Sequence, residues 1–450
     1  MKKLIQNILI ILVLTILIMF SYACLDNKIS GQSFSEFVQW MIKPFNKADK
    51  MNKRKGTNTT PNHYKAVWLS YLEFGAYLKS SKNNTEKEFR KFFQHVTEHA
   101  KEEGFNTIIV HVRPFGDALY PSKYFPWAAC ISGTQGKNPG YDPLKIMTEI
   151  AHKNGMRIEA WINPYRVSSG TDRKKLSKDN PAEKWMNDKA TKRNVLSYDG
   201  GLYFNPSSKT VRDYIVKGVC EIVENYDVDG IHADDYFYPQ FTEDNVKNSF
   251  DALDYYRDKR KGKIKKGISL AEWRRENVNR LVAAIYGAIK ERKSNVTFGI
   301  SPAGNLNNLR SDFEYYTDID TWVGKEGYVD YLMPQIYWGF TNDMAPFDQV
   351  VDEWVKLMKN SPVKLYIGLQ LYRMGNSEPG QSDINELQTA TLIKKQLQYI
   401  KKKTEVQGVC FFSYQYLDCN NTSYSFETRE FSKRRKRILY EIELHLKQWI

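Results

Sequence analysis

The order of apolar runs predicts a (β/α)8 barrel, that is, an α/β TIM barrel with long insertions after strands 2, 3 and 4. Two observations carry this. From residue 64 onward, strand-length apolar runs alternate with helix-length amphipathic runs, the pattern of a parallel sheet. Counting gives eight: 65–73, 106–113, 156–163, 228–235, 296–302, 329–337, 363–371 and 407–414. A doubly wound open sheet is the alternative, but it carries a Gly-rich phosphate turn after its first strand, and Trp68-Leu-Ser-Tyr-Leu-Glu-Phe-Gly75 has none.

Before the first strand, Met1-Lys-Lys3 opens with charge, residues 8–20 are apolar, and Ser21-Tyr-Ala23 offers small residues where an export peptidase reads. Residues 1–23 therefore read as a signal peptide or membrane anchor. Cys24 stands where bacterial lipoproteins are acylated, although Ser21 replaces the Leu that pattern prefers. Residues 24–63 read as a flexible linker, with 47–63 carrying Lys, Arg, Asn and Thr and little apolar content. The export signal places the folded part outside the cell or on the outer face of the bacterial membrane, with the N-terminal segment as its one membrane contact.

Within 64–425, Thr85-Glu-Lys-Glu88 opens a helix as a capping box ahead of Phe89, Phe92, Phe93 and Val96, and Gly104 closes it. The insertions 114–142, 166–208 and 239–270 follow strands 2, 3 and 4 at their C-terminal ends, where barrel enzymes build substrate sites. The basic run 256–266 is either a solvated loop or a grip on an anionic polymer. Residues 426–450, with Arg434-Arg-Lys-Arg437 and a Leu/Ile stripe, read as a basic helix packed on the barrel.

Strand 4 draws most of the argument. Val228-Asp-Gly-Ile-His-Ala-Asp-Asp-Tyr-Phe-Tyr-Pro239 ends in two carboxylates and an aromatic cluster. Alternation puts Ile231 and Ala233 on one face and His232, Asp234 and Tyr236 on the other, leaving Asp235 at the rim. The same rule turns His111 and Arg113 inward on strand 2, and Glu159, Trp161, Asn163 and then Tyr165 on strand 3. It also turns Gln335 and Tyr337 inward on strand 6, with Trp338 next, and Gln370 and Tyr372 on strand 7, while strand 1 ends at Glu73. An aromatic, amide-rich mouth suits a carbohydrate, since rings stack on sugar faces and amides hold hydroxyl and acetamido groups. Glycosidic cleavage needs a protonated carboxyl plus either a second carboxylate or the substrate's acetamido group. Asp234 and Asp235 are the candidates for the acid, with Asp234 favoured because alternation puts it in the cleft; Glu326 either supplies a second acid or is simply exposed. The bland readings are a loop cap for the Asp pair, a structural role for His111 or Arg113, and an ion pair between Glu159 and Arg113.

The net charge of +14 suits any anionic partner and discriminates little, but no zinc-finger, P-loop or helix-turn-helix pattern supports nucleic acid. Five scattered cysteines and seven histidines form no metal-ligand spacing, so neither metal nor cofactor is read. This argues against a metal-dependent deacetylase. A barrel that binds wall glycan without cleaving it is the rival from another class. A Cys130–Cys419 bridge stays open.

Val67-Trp-Leu69, Gly104-Phe-Asn-Thr-Ile108, Ala160-Trp-Ile-Asn-Pro-Tyr165, Asp229 to Pro239, Gly299-Ile-Ser-Pro-Ala-Gly304 and Met333-Pro-Gln-Ile-Tyr-Trp338 together resemble the bacterial glycosyl-hydrolase-like 10 family over about residues 64–420. The resemblance implies a secreted or lipid-anchored TIM-barrel glycosidase, and a relative that acts at the division site on peptidoglycan strands stripped of peptide. On matching positions it implies functional residues at Asp234 and Asp235, with Asn163, Tyr165, Gln335 and Tyr337 lining the site. Strand 4 is also loosely similar to the Asp-Gly-x-Asp-x-Asp-x-Glu signature of family 18 glycosidases. Here Tyr236 stands in place of its acid Glu and His232 in place of an Asp.

Overall fold

Tyr64–Leu69 (β1) pairs in parallel with Thr107–Arg113 (β2) on one side and with the last strand, Val406–Phe412 (β11), on the other, so the sheet closes on itself. The structure, a computed structural model, describes residues 63–375, 381–418 and 433–449. Between those ends run Arg157–Ile162 (β3), Gly230–Asp234 (β7), Thr297–Ser301 (β8), Tyr331–Leu332 (β9) and Lys364–Gln370 (β10). The closed order is β1-β11-β10-β9-β8-β7-β3-β2, every pair parallel. This is the eight-stranded barrel that the apolar runs predict. Residues 1–62, where the sequence predicts an export signal or anchor and most of the linker, lie outside the described residues, as does Cys419.

The helical layer follows from local signals. Thr85 accepts from the backbone of Glu88, and Glu88 reaches back to the Thr85 N–H, so both ends of the capping box form. The helix Glu86–Glu102 then buries Phe89, Phe92, Phe93 and Val96 completely. Each such aromatic ring is worth about 1.5–3 kcal/mol by burial. Gly104, at φ +82°, turns the chain toward β2.

The insertions stand at the strands' C-terminal end. After β3 comes a three-stranded antiparallel sheet of Arg166–Ser168 (β4), Val195–Tyr198 (β5) and Gly201–Phe204 (β6), in the order β4-β6-β5. After β7 comes the helix Ala252–Arg260. At the other end of the chain, the helix Lys433–Trp449 buries Leu439, Ile442 and Leu446, and Arg435 donates to the carbonyls of Met374 (3.0 Å) and Tyr372.

Two strands differ from the pattern reading in ways that matter for the site. β1 stops at Leu69 because Ser70 caps the next helix, Tyr71–Ser80. Glu73 is the reciprocal member of that box, its Oε2 3.0 Å from the Ser70 N–H, so it does not end a strand. In β2 the register with β3 slips between His111, paired with Trp161, and Arg113, paired with Ile162. This irregularity turns Arg113 out of the barrel.

Candidate active site

The barrel interior is built in aromatic layers that rise toward the strands' C-terminal ends. Tyr64 and Tyr366 stack at 4.2 Å, and Tyr331 leans on both. Above them, His111 and Trp161 stack at 3.6 Å beside Trp68 and His232. Gly299 is required here: a Cβ on it would stand 2.0 Å from the Tyr331 ring.

A hydrogen-bonded spine threads these layers. Trp68 Nε1 donates to His232 Nε2 (3.2 Å), and since an indole N–H only donates, His232 carries its proton on Nδ1. Nδ1 lies 2.8 Å from the Tyr331 hydroxyl, which in turn donates to Glu159 Oε2 (2.5 Å). Burial holds the His232 pKa down at about 3, so the ring is neutral and orients its neighbours. Burial raises the Glu159 carboxyl despite Arg157 at 3.6 Å, which takes the place of Arg113 as its cationic neighbour. Ser301 Oγ lies 3.1 Å from His232 Nε2, and Ser301 thereby connects the spine to the strand-end layer.

At that layer β7 ends. Asp234 is its last residue, and the chain turns there, so Asp235 leaves the strand and does not stand at a rim. The two carboxyls sit side by side, both buried, with the Asp235 N–H donating to Asp234 Oδ1 (2.9 Å). Gln335 Nε2 also donates to Asp234 Oδ1 (3.0 Å) while holding the Ser301 carbonyl (3.0 Å). Gln335 reaches that position because the backbone at Gly304 runs against it; a Cβ there would meet the Gln335 carbonyl at 2.4 Å. Arg166, whose guanidinium lies 4.6 Å from the Tyr236 ring and 5.0 Å from the Phe115 ring, adds positive charge near Asp234.

Burial raises both carboxyl pKa values, and Asp235 much further, because the Asp234 charge beside it opposes a second ionisation. Asp234 is drawn back by Asp235, Arg166 and Gln335. The two adjacent carboxyls thus oppose each other's ionisation and titrate as a pair.

Two cavities meet at this pair. The smaller, about 330 Å³, is lined by Trp68, Trp161, Asn163, Arg166 and Asp234 among others. The larger, about 780 Å³, takes in Asp235, Tyr238, Asn305, Tyr315 and Trp338. Tyr236, Gln335, Tyr337 and Tyr372 line both.

Of the candidate catalytic and substrate-binding residues, Trp161, Asn163, Asp234, Asp235, Tyr236, Gln335, Tyr337 and Trp338 come together around this cleft. Three do not. Arg113, turned outward by the irregularity in β2, lies buried 3.6 Å over Phe125. Tyr165 is fully buried against Phe237, since β3 ends at Ile162 and Asn163-Pro164 breaks the alternation. Glu326 is exposed and precedes β9, at the N-terminal end of the strands, opposite the cleft. Sequence reasoning missed Arg166, one residue past a quoted motif, and Tyr315, at φ +52° in a loop with no periodic signal.

A closed parallel barrel with a buried carboxyl pair in an aromatic cleft at its C-terminal mouth is the arrangement on which TIM-barrel glycoside hydrolases are built. The chain belongs to the glycosyl hydrolase-like 10 family, which matches residues 63–385. It is 37% identical over 355 residues to the glycosyl hydrolase YngK of Bacillus subtilis (strain 168), covering 75% of this chain and 66%, just under two thirds, of that relative. It is 35% identical over 340 residues to the glycosyl hydrolase DigH of Escherichia coli (strain K12), covering 71% of this chain and 74% of that one. Among solved structures, the glycoside hydrolase domain of PgaB (BpsB) from Bordetella bronchiseptica shares the fold at TM-score 0.52 and 13% identity, over 78% of this chain and 94% of that domain. The α-L-fucosidase isoenzyme 2 of Paenibacillus thiaminolyticus does so at 0.51 and 14%, over 85% and 49%.

Proposed function

We propose that the chain is an exported hydrolase of amino-sugar cell-wall polymers, acting on the glycan strands of peptidoglycan, with the strand-end Asp pair supplying the general acid. The observation that carries this is the pair of adjacent buried carboxyls, Asp234 and Asp235, at the strand end in a cleft of rings and amides, where burial raises both pKa values. The Asp235 carboxyl gives its proton to the glycosidic oxygen as the bond to the anomeric carbon breaks. Asp234 keeps its charge beside the positive charge that develops there. Water then supplies the hydroxyl at the anomeric carbon and returns a proton to the pair. Tyr236, Tyr337 and Trp338 offer faces to pyranose rings, while Asn163, Asn305 and Gln335 offer amide partners to acetamido and hydroxyl groups.

Export rests on the charged start, the apolar run 8–20 and the small residues before Cys24, and it places the enzyme where that polymer is found. The test is product release from purified sacculi and from peptide-free glycan strands, with an Asp235→Asn control, together with fractionation of cells. Folded protein that releases nothing from any wall or chitin-type substrate, or that stays in the cytoplasm, refutes the reading.

A further inference from the structure

The insertion after β7 carries a surface for which the cleft chemistry has no use. The helix Ala252–Arg260 is fixed firmly on its inner side. Asp251, just before it, receives Tyr238 Oη (2.7 Å) and Arg274 Nε (2.8 Å), all fully or nearly fully buried. Asp254 is gripped by Arg193 Nε (3.0 Å) and Asn205 Nδ2 (3.1 Å), and the Tyr255 hydroxyl donates to the Ile268 carbonyl (2.7 Å).

The outer side is unlike an ordinary solvated face. Leu253, Tyr256, Arg257 and Arg260 fall at i, i+3, i+4 and i+7 and form one exposed stripe, with Leu253 66% and Tyr256 40% accessible. From Arg257 to Lys266 the chain carries seven Lys and Arg against one acid, Asp258. Arg257 pairs with Asp254 (2.7 Å) and Asp258 (3.3 Å). Among the described residues no carboxylate pairs with Arg260, Lys261, Lys263, Lys265 or Lys266. Five neighbouring cations without counter-charges repel one another, a cost that a bound polyanion would remove.

The position of this surface points to its occupant. Phe250, immediately before the helix, touches Tyr198 (6.5 Å between rings), Tyr203 (5.8 Å) and Tyr238 (5.9 Å), and those three tyrosines line the larger cavity. Phe250 thus joins the helix that carries the stripe to the wall of the larger cavity. We propose that this stripe and its lysines bind the anionic continuation of the same glycan strand, with pyranose faces on Tyr256 and Leu253 and carboxylates of the sugars on Arg260 and the lysines that follow. This rests on the wall-glycan reading above and adds to it a subsite for sugar carboxylates outside the cleft.

The test replaces Arg260, Lys261, Lys263, Lys265 and Lys266 together by Gln; all are on the surface apart from the core, and an unchanged melting curve verifies the fold. The probes are peptide-free peptidoglycan strands, which carry a lactyl carboxylate on alternate sugars, and uncharged chitin oligomers of matched length. At low salt the fivefold variant should show a KM about tenfold higher on the carboxylated strands with kcat unchanged. It should show no change on chitin, and raised salt should impose the same loss on the wild type. Tyr256→Ala should weaken both probes. No change on the carboxylated strands, or an equal change on both probes, overturns the proposal.

If the wild type cleaves neither glycan, the functional reading falls, but affinity still decides this one. Binding of carboxylated strands that the five substitutions weaken selectively sustains it, and indifference overturns it. Wild-type binding to phosphatidylglycerol vesicles that the five substitutions abolish, with glycan affinity untouched, overturns it in favour of a lipid surface.

Discussion

Replacing Asp235 by Asn keeps the shape of the pair and removes its transferable proton. Burial and the neighbouring Asp234 charge raise the Asp235 pKa, so with Asp235 as the general acid proposed above the activity should fall as pH rises through that pKa. General acid catalysis is worth about 10²–10⁴-fold in rate, and kcat of Asp235→Asn should drop by that amount while oligosaccharide affinity holds. Asp234→Asn is the discriminating partner. Its amide oxygen can still accept from the Asp235 N–H and from Gln335, but the charge is gone. Asp235 then loses the contribution that opposes its ionisation, and the alkaline limb of the pH profile should move to lower pH, burial alone keeping it above the ordinary Asp range. The assay is kcat against pH for the three proteins on soluble glycan, with affinity from titration calorimetry. Near wild-type turnover in Asp235→Asn, or an alkaline limb that Asp234→Asn leaves in place, refutes the assignment of the proton.

Gly299→Ala should destabilise the fold by about 1–3 kcal/mol in urea unfolding, through the clash with Tyr331, and Tyr331→Val should largely relieve that cost. Tyr331→Phe removes the hydroxyl between His232 and Glu159, leaves buried polar groups unsatisfied, and should cost about 1–3 kcal/mol by the same measurement. The hydrogen bond to Asp229 (2.9 Å) raises the His152 pKa, so its stabilisation is full below the unfolded histidine value and fades as pH rises through the folded one. The urea midpoints of wild type and His152→Gln should therefore differ at acidic pH and converge at alkaline pH. Glu326→Gln should leave kcat/KM within about twofold, as expected for an exposed side chain remote from the cleft.

The barrel was legible because covered parallel strands leave long apolar runs, and because a strand's two-residue period marks which side chains face inward. That rule found Trp161, Asn163, Asp234, Gln335 and Tyr337. It failed wherever the strand stopped being regular. The register slip at His111–Arg113 is a relation between β2 and β3 and leaves no mark on either alone. The end of β7 at Asp234 depends on where its neighbours stop, so the partnership of Asp235 with Asp234 could not be read from alternation. By contrast, Ser70-Tyr-Leu-Glu73 spells the same capping box as Thr85-Glu-Lys-Glu88, and the early end of β1 was there to be seen. The turn at Asn163-Pro164, which sends Tyr165 into the core and Arg166 to the carboxylates, is marked by the proline, but a proline does not say which way the chain goes.

The pairing of β1 with β11 also sets an order in time. β1 is among the first parts of the folded body to be synthesised, yet the strand that covers its second edge begins roughly 340 residues later, a wait of about 20–70 s at ordinary translation rates. Until then the growing chain can hold at most an open sheet with a bare edge, the state in which strands pair with the wrong partner. The barrel therefore cannot close until its last strand is available, and Tyr64–Leu69 keeps one edge bare until then.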